Sequence, residues 1–334
     1  MRVDELNSEL ADTPEAATHA ARFGVPPAIH SGDFIYEHLL RTHRPLSEQQ
    51  NRELVIDFYF ADGDRSARRL DEVVRRFHPH AGARRLSLLE FASGYGCVSR
   101  HLGRMTDRYD LLACDIHPQA IDFLERRLDV RALLSRSDPA DFKPGRQFDV
   151  VFALSFFSHI PDRNWGRWVA ALFDCVAENG LLIFTAHGRI AHEDVNQPQL
   201  DAAGYWFLAL SEQRDLPTDE YGTMIVTPAY AAGRIEACSH AALLFFQEGF
   251  WWEKQDTYVI RRVPNEFRQR TSASATPDAA AMARLQAENY WLNAENIRLM
   301  ADDRTHREAV TGMRASTSWR VTAPLRALGR LLGR

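Results

Sequence analysis

Two acidic residues near the ends of short apolar runs carry the strongest chemical signal in this 334-residue chain. The first run, residues 86–91, contains Glu90 and leads into a turn of small residues at 92–96. A short apolar run predicts a parallel strand covered on both faces, and small residues after it let the backbone approach a ligand closely. The second run, residues 111–115, ends in Asp115. An acid at the end of the second strand of a βαβ unit can bind ribose hydroxyls, so the pair predicts a nucleoside-binding sheet edge.

The small-residue turn does not have the spacing that binds a dinucleotide. Pyrophosphate binding uses G-x-G-x-x-G at the start of a helix, whereas this turn reads Glu90-x-Ala92-x-Gly94-x-Gly96 with no glycine at position 99. The carboxylate of Glu90 would repel a pyrophosphate and suits a cationic ligand with an amino group. The turn resembles the first motif of the class I S-adenosylmethionine-dependent methyltransferases, an acid followed by G-x-G-x-G, from which Ala92 departs. The resemblance implies that S-adenosylmethionine is the cofactor and that its binding residues include Glu90, Ala92, Gly94, Gly96, Asp115 and Ile116.

The rest of the core follows the order of that family. Three more strands are predicted after the second, at residues 130–134, 148–155 and 181–185. The helix before the last of them is expected to end at residues 178–180, because asparagine and glycine favour the left-handed helix stop. Two β-rich runs, 242–246 and 256–260, predict a hairpin. We therefore expect an α/β fold with a doubly wound, seven-stranded methyltransferase sheet whose last strand is antiparallel, over a core of residues 81–265.

The resemblance also implies residues for the adenine ring and the acceptor. An acid after the third strand contacts the adenine amino group in the family, which implies Asp138, with Asp141 as the rival, and Ser155 is a further cofactor contact. Methyl transfer is an in-line displacement that depends on positioning, and an oxygen nucleophile also benefits from a general base. His187, at the carboxyl end of the fifth strand, is the first candidate for that base. His159 is the second, although either histidine can instead be structural.

Three residues after the core strands are candidates for the acceptor side, namely Tyr221, Gln255 and Asp256.

The four cysteines have no metal-ligand spacing and no HExxH pattern occurs, so we expect no metal. A net charge of −5 argues against a nucleic-acid partner. The acidic first twenty residues lack an apolar segment, and no run is long enough to span a bilayer, so a cytoplasmic location is expected.

The amino-terminal flank, residues 1–80, is predicted to be a polar segment followed by a helical cap. Residues 1–27 are polar and expected to be loosely ordered. Between 33 and 77, apolar positions recur and predict two or three helices. In the resembled superfamily such helices often cover the cofactor, but they can equally do no more than pack on the sheet.

The carboxyl-terminal flank begins with a polar linker, residues 266–278, and continues into a heptad pattern over 279–313. Leu285, Leu292 and Leu299 recur every seven residues, and asparagine occupies two of the alternate seam positions. Asparagine there selects a two-stranded pairing, so the segment predicts a coiled-coil helix and a homodimer. A single helix packed on the core is the alternative.

The last segment, residues 314–334, contains the run Ser316-Thr-Ser-Trp-Arg-Val-Thr-Ala-Pro-Leu-Arg326. This run resembles the tail of many bacterial cell-surface glycosyltransferases. Its leucines and arginines fall on opposite sides of a helix. Such a helix suits the anionic inner face of the cytoplasmic membrane, or a glycosyltransferase partner, and a solvated cationic tail is the alternative.

Three functions remain open: O-methylation of a sugar or sugar-linked acceptor in surface polysaccharide synthesis, methylation of an unrelated small metabolite, and a non-catalytic cofactor-binding scaffold.

Overall fold

The computed structural model describes residues 13–42, 48–194, 197–211, 213 and 215–264. Among them a seven-stranded sheet and a two-stranded sheet are surrounded by helices. The strands are β1 Leu86–Phe91, β2 Tyr109–Asp115, β3 Ala132–Leu134, β4 Phe148–Ala153, β5 Val176–His187, β6 Tyr205–Leu208, β7 Thr223–Val226, β8 Ala241–Trp251 and β9 Gln255–Arg262. The α-helices are α1 Pro14–Ala21, α2 Phe34–Thr42, α3 Glu48–Phe77, α4 Ser99–Leu102, α5 Pro118–Leu128, α6 Asp162–Asp174, α7 Arg189–Asp194 and α8 Pro228–Glu236.

The large sheet has the strand order β3-β2-β1-β4-β5-β9-β8. Strands β1 to β5 run parallel, and β9 lies antiparallel between β5 and β8. The apolar runs of β1 and β4 are buried along almost their whole length, because helices cover both faces of a parallel sheet. The expected doubly wound seven-stranded sheet with an antiparallel last strand is therefore confirmed.

The helix before β5 ends earlier than the sequence predicts. Helix α6 stops at Asp174, and the chain enters β5 at Val176. Asn179 does adopt a positive φ of 64°, but it lies in a bulge of the strand, where the register with β4 shifts. Gly180 is required there because a Cβ would lie 2.7 Å from the carbonyl oxygen of Asp149. The prediction of a helix stop at 178–180 was wrong, since the same residue types also serve a strand bulge.

The amino-terminal flank is more ordered than expected over its described part. Helix α1 begins after Thr13, whose side chain accepts a hydrogen bond from the Ala16 amide at 3.2 Å. Ala16 and Ala20 are buried against α3, which forms one apolar cluster with α1 and α2. The expectation of a loosely ordered segment was therefore wrong for residues 13–27, whereas α2 and α3 are the helices predicted between 33 and 77.

The segment between β5 and β8 contains elements that the sequence pattern did not predict, among them the β6–β7 sheet and α8. None of the helices in the described part of the chain is long and apolar enough to cross a membrane. The linker at 266–278, the coiled coil at 279–313 and the tail at 314–334 lie outside the described residues.

Candidate active site

The turn after β1 uses three left-handed backbone positions in close succession. Ala92, Gly94 and Gly96 have φ values of 58°, 55° and 79°. A Cβ on Gly94 would face open space, whereas a Cβ on Gly96 would lie 2.5 Å from Leu128 and 2.8 Å from Leu124. The turn is thus open to a ligand at Gly94 and packed tightly on α5 at Gly96.

Ala92 adopts a conformation that its Cβ disfavours by about 1–2 kcal/mol. We expect Ala92→Gly to raise the free energy of unfolding by about 0.5–1 kcal/mol, because relief of this strain exceeds the added chain entropy of glycine. Urea denaturation measures the change. Ala132→Gly, on the ordinary edge strand β3, is the matched control and should lower stability by roughly 0.5–1 kcal/mol. Loss of stability in both variants would show that Ala92 is not strained.

Glu90 is a buried carboxyl group directly before this turn. Its side chain is 3% exposed, and its Oε2 accepts a hydrogen bond from the Ser99 hydroxyl at 2.6 Å. Burial, together with the negative charge of Asp115, raises the pKa of Glu90 to about 8, against the lowering effect of the Ser99 hydrogen bond. The carboxyl group of Glu90 is therefore protonated near neutral pH.

Asp115, at the end of β2, binds the turn directly. Its Oδ2 accepts a hydrogen bond from the Gly94 amide at 2.7 Å. Its Oδ1 accepts hydrogen bonds from the His117 amide at 3.0 Å and from His117 Nδ1 at 2.6 Å. A carboxylate oxygen can accept about two hydrogen bonds, so Oδ2 retains capacity for a ligand hydroxyl.

His117 connects Asp115 to the segment that precedes β7. Its Nε2 lies 3.1 Å from Asp215 Oδ2 and 3.0 Å from Gln213 Nε2. Burial lowers the pKa of His117, but hydrogen bonding to Asp115 and the charges of Asp115 and Asp215 outweigh it, so that the pKa is raised. Sequence analysis did not identify His117 as a site residue, because nothing in the pattern places Asp215 beside it.

Asp138 and Asp141, the two candidates for the adenine amino group, lie in a short turn after β3. Asp138 caps a 3₁₀ turn by accepting a hydrogen bond from the Ala140 amide, and it forms an ion pair with Arg167 at 2.5 Å. Asp141 lies in the same turn. Ile116 is half-buried between Asp115 and His117.

Ser155 belongs to a second cluster, at the carboxyl ends of β4 and β5. Its amide donates to Thr185 Oγ1 at 2.8 Å, and its hydroxyl accepts a hydrogen bond from Gln255 Nε2 at 2.7 Å. Gln255 Nε2 also lies 3.4 Å from His187 Nε2. The structure thus groups Ser155 with the predicted acceptor residues.

His159 joins this cluster from the loop after β4. Its ring stacks on Tyr221 with centroids 4.5 Å apart, and it lies 6.0 Å from the ring of His187. Its Nδ1 donates to the Gly222 carbonyl at 2.8 Å, while its own carbonyl accepts a hydrogen bond from the Gly222 amide at 2.9 Å. The "acceptor cluster" is defined here by His159, His187, Tyr221, Gln255 and Ser155.

Asp256 does not belong to the acceptor cluster, although it neighbours Gln255. Its side chain is fully buried, and its Oδ1 accepts a hydrogen bond from the Gly249 amide at 3.0 Å. Its Oδ2 is packed against Gly188, where a Cβ would lie only 1.9 Å away. Burial raises the pKa of Asp256 to about 7. Successive strand residues point to opposite faces, so the expectation for Asp256 was wrong and only Gln255 reaches the cluster.

The amino-terminal flank lies against the glycine-rich turn. The ring of His30 stacks on Tyr95 with centroids 4.2 Å apart. Arg100, which is 1% exposed, donates to the carbonyls of Ala28 and Gly96 at 2.8 and 3.0 Å. The helical cap therefore packs on the turn itself. Sequence analysis missed Arg100 because nothing in its surroundings marks it as buried.

Comparison of the sequence with protein-family models agrees with this geometry. Residues 89–182 match the family model described as a methyltransferase domain. The match runs from the second half of β1 into β5 and includes Glu90, the turn and Asp115. This segment of the chain is thus similar to a methyltransferase domain. Among the described residues, no group of three or more histidine, cysteine or acidic side chains could hold a metal ion.

Several solved structures are similar to part of the chain. The DhpI complex with SAH is 22% identical over 69% of this chain and 98% of that chain, with a TM-score of 0.42. DesVI of Streptomyces venezuelae is 16% identical over 66% and 99%, with a TM-score of 0.44. An S-adenosylmethionine-dependent methyltransferase of Clostridium acetobutylicum is 14% identical over 59% and 91%, with a TM-score of 0.43. No curated protein matches the chain in sequence.

Proposed function

We propose that this enzyme methylates a hydroxyl group of a sugar or sugar-linked acceptor in bacterial surface polysaccharide synthesis. The acceptor cluster carries the proposal, because its side chains are two histidines, a tyrosine, a glutamine and a serine. These five side chains include no arginine or lysine for a phosphate or carboxylate, and no carboxylate for an ammonium group. Neutral hydrogen-bonding groups beside the stacked rings of His159 and Tyr221 suit a sugar, which presents hydroxyls and an apolar ring face.

The residues of the first cluster fit the cofactor. Gly94 leaves open space above the turn, and Glu90 can face an amino group once it is ionised. Asp115 can accept from the ribose hydroxyls through Oδ2. We assign the adenine end to Ile116 and Asp138, of which Asp138 would have to share its carboxylate with Arg167.

S-adenosylmethionine supplies an electrophilic methyl group on a sulfonium. In the transfer the acceptor oxygen forms a bond to the methyl carbon as the carbon–sulfur bond breaks, and the hydroxyl proton passes to a base. His159 and His187 are the histidines of the acceptor cluster, within reach of one another. The chain therefore holds a group that can take the proton of a neutral hydroxyl, which an alcohol needs more than an amine does.

The experiment is transfer of labelled methyl groups by the full-length protein to a panel of nucleotide sugars, oligosaccharides, amines and carboxylic acids. We expect labelled methyl ethers on sugars, and His159→Asn should slow the transfer about 10²–10⁴-fold while leaving cofactor affinity unchanged. His80→Asn, an exposed residue outside both clusters, is the matched control. Labelling of amines alone, or of an unrelated metabolite, would overturn the sugar proposal. Cofactor binding without any transfer would indicate a scaffold.

We also propose that the protein forms a homodimer in the cytoplasm through residues 279–313. The tail at 314–334 then binds either the inner face of the cytoplasmic membrane or a glycosyltransferase. The heptad pattern and the leucine–arginine amphipath support this proposal. Sedimentation of the full chain and flotation with anionic vesicles, each at low and high salt, are the direct tests.

A further inference from the structure

His117 lies between two carboxylate groups from distant parts of the chain. Its Nδ1 is 2.6 Å from Asp115 Oδ1 at the end of β2, and its Nε2 is 3.1 Å from Asp215 Oδ2 on the segment before β7. An ionised carboxylate only accepts hydrogen bonds, so a ring that bonds both groups must donate from both nitrogens. The imidazolium form of His117 meets that requirement.

The direction of this side chain departs from what its position beside a helix favours. His117 is the residue directly before α5, where a side chain usually caps the free backbone amides of the first turn. Its ring makes no such hydrogen bond and turns back to Asp115 instead. A positive charge is unfavourable at a helix amino terminus, and the first turn of α5 contains no acid. The charge of the imidazolium must therefore be offset by Asp115 and Asp215.

The contact with Asp115 is the stronger of the two. The side chains of His117 and Asp115 are 14% and 7% exposed, whereas that of Asp215 is 54% exposed. Water and salt screen an exposed ion pair, so Asp215 stabilises the charge less than Asp115 does. Asp115 Oδ1 also accepts a hydrogen bond from the His117 backbone amide at 3.0 Å. His117 thus occupies Oδ1 fully and leaves Oδ2 for the Gly94 amide and a ligand hydroxyl.

Two further groups face this contact. The amide nitrogen of Gln213 is 3.0 Å from His117 Nε2, which suits a neutral ring that accepts a hydrogen bond at Nε2. Tyr95, on the turn after β1, has its pKa raised to about 12 by burial and by the charges of Asp115 and Asp215. Burial lowers the pKa of His117, but the same two carboxylates outweigh burial and raise it. The ring therefore keeps its Nδ1 proton on Asp115 in both charge states, while Nε2 exchanges Asp215 for Gln213 when it loses its proton.

We propose that His117 is a positioning residue that holds Asp115 through Nδ1 for the ribose of S-adenosylmethionine and joins it through Nε2 to the segment before β7. This inference rests on the proposed function, in which Asp115 binds the ribose hydroxyls. The same segment ends in Gly222, whose carbonyl accepts a hydrogen bond from His159 of the acceptor cluster. Residues 215–222 thereby connect the cofactor end of the site to the acceptor end.

The first test is ¹⁵N nuclear magnetic resonance of the histidine side chains in the full-length protein without ligand, with His117 assigned by loss of its signals in His117→Asn. The titration midpoint of His117 should lie above the ordinary value of about 6.5. The neutral ring should carry its proton on Nδ1. A midpoint at or below the ordinary value, or a neutral ring with its proton on Nε2, would overturn the inference.

The link to the segment before β7 is tested by the same titration. Asp215→Asn should lower the midpoint of His117 by roughly half a pH unit, because it removes the charge of an exposed partner. Asp219→Asn is the matched control, since Asp219 is a 73% exposed acid of the same segment that pairs with Arg163. It should leave the midpoint unchanged. Equal midpoints in Asp215→Asn and the unaltered protein would refute the link.

Titration calorimetry with S-adenosylmethionine, at one pH for all variants, tests the positioning of Asp115. His117→Ala removes the donor and should weaken binding about tenfold. His117→Asn keeps an N–H donor near the position of Nδ1 and should bind within about threefold of the unaltered protein. His80→Ala, at an exposed position outside the site, is the control.

The two ways of failing are distinguishable in this experiment. Equal affinities of His117→Ala and the unaltered protein would overturn the inference and leave cofactor binding intact. Absence of binding by the unaltered protein would refute the proposed function itself, whatever the charge state of His117.

Discussion

Arg100→Met should lower the free energy of unfolding by about 3–5 kcal/mol, because it removes the donors of a fully buried polar network. The guanidinium donates to the carbonyls of Pro26, Ala28 and Gly96 at 2.8–3.0 Å and to the Tyr59 hydroxyl at 3.1 Å. Each carbonyl left without a donor costs about 1–3 kcal/mol. Tyr59 in turn donates to Asp33 at 2.6 Å, and this carboxyl also loses the favourable charge of Arg100.

Urea denaturation of the full chain measures the effect. Arg126→Met is the matched control, because Arg126 is 76% exposed and pairs with Asp122 only on the surface of α5. It should change stability by less than about 0.5 kcal/mol. A loss below about 1 kcal/mol for Arg100→Met would mean that water replaces the guanidinium and that the network adds little.

Affinity for S-adenosylmethionine should rise about tenfold between pH 6 and pH 7 and about fivefold more by pH 8, roughly fiftyfold in total. Burial raises the pKa of Glu90 to about 8, so below that pH the carboxyl is protonated before the ligand arrives. Binding of the cationic amino group requires the ionised form, and the proton must leave. Above about pH 8 the α-amino group of the ligand loses its own proton, and affinity should fall again.

Titration calorimetry at pH 6.5, in two buffers of different ionisation enthalpy, should show release of nearly one proton per ligand bound. Glu90→Gln removes the ionisable group, keeps a partner for Ser99 and should bind without proton release and with a flat pH dependence in this range. Binding by the unaltered protein without proton release would show that Glu90 stays neutral beside the ligand and does not pair with the amino group.

The central strands and the ligand turn could be predicted from the sequence because their signals are local. Strand β1 and the turn after it are marked by a short apolar run, an acid and a cluster of small residues. Strand β2 is marked by an apolar run that ends in Asp115. Neither Arg100 nor the Asp215 contact of His117 could be predicted in this way. Both depend on contacts between segments far apart in sequence, 74 residues for Arg100 with Pro26.

The errors in the prediction also have physical causes. Asn179 and Gly180 were assigned to a helix stop because their positive-φ preference is the same in a strand bulge. Residues 13–27 contain few large apolar side chains, yet Ala16, Ala20 and Val25 are buried in one cluster with α3. Asp256 was placed beside Gln255 because adjacent residues were treated together, although the strand pleat directs them to opposite sides.

The position of β9 between β5 and β8 determines when the site is completed during synthesis. A chain emerging from the ribosome folds from its amino-terminal part, so β1 to β5 can pair while β9 is still being made. Strand β8 pairs only with β9 in the large sheet and has no neighbour there until residues 255–262 appear. The first of these residues is Gln255, which contacts His187 across the new pairing. The nascent protein therefore has its glycine-rich turn early, whereas Gln255 reaches His187 only when β9 is in place.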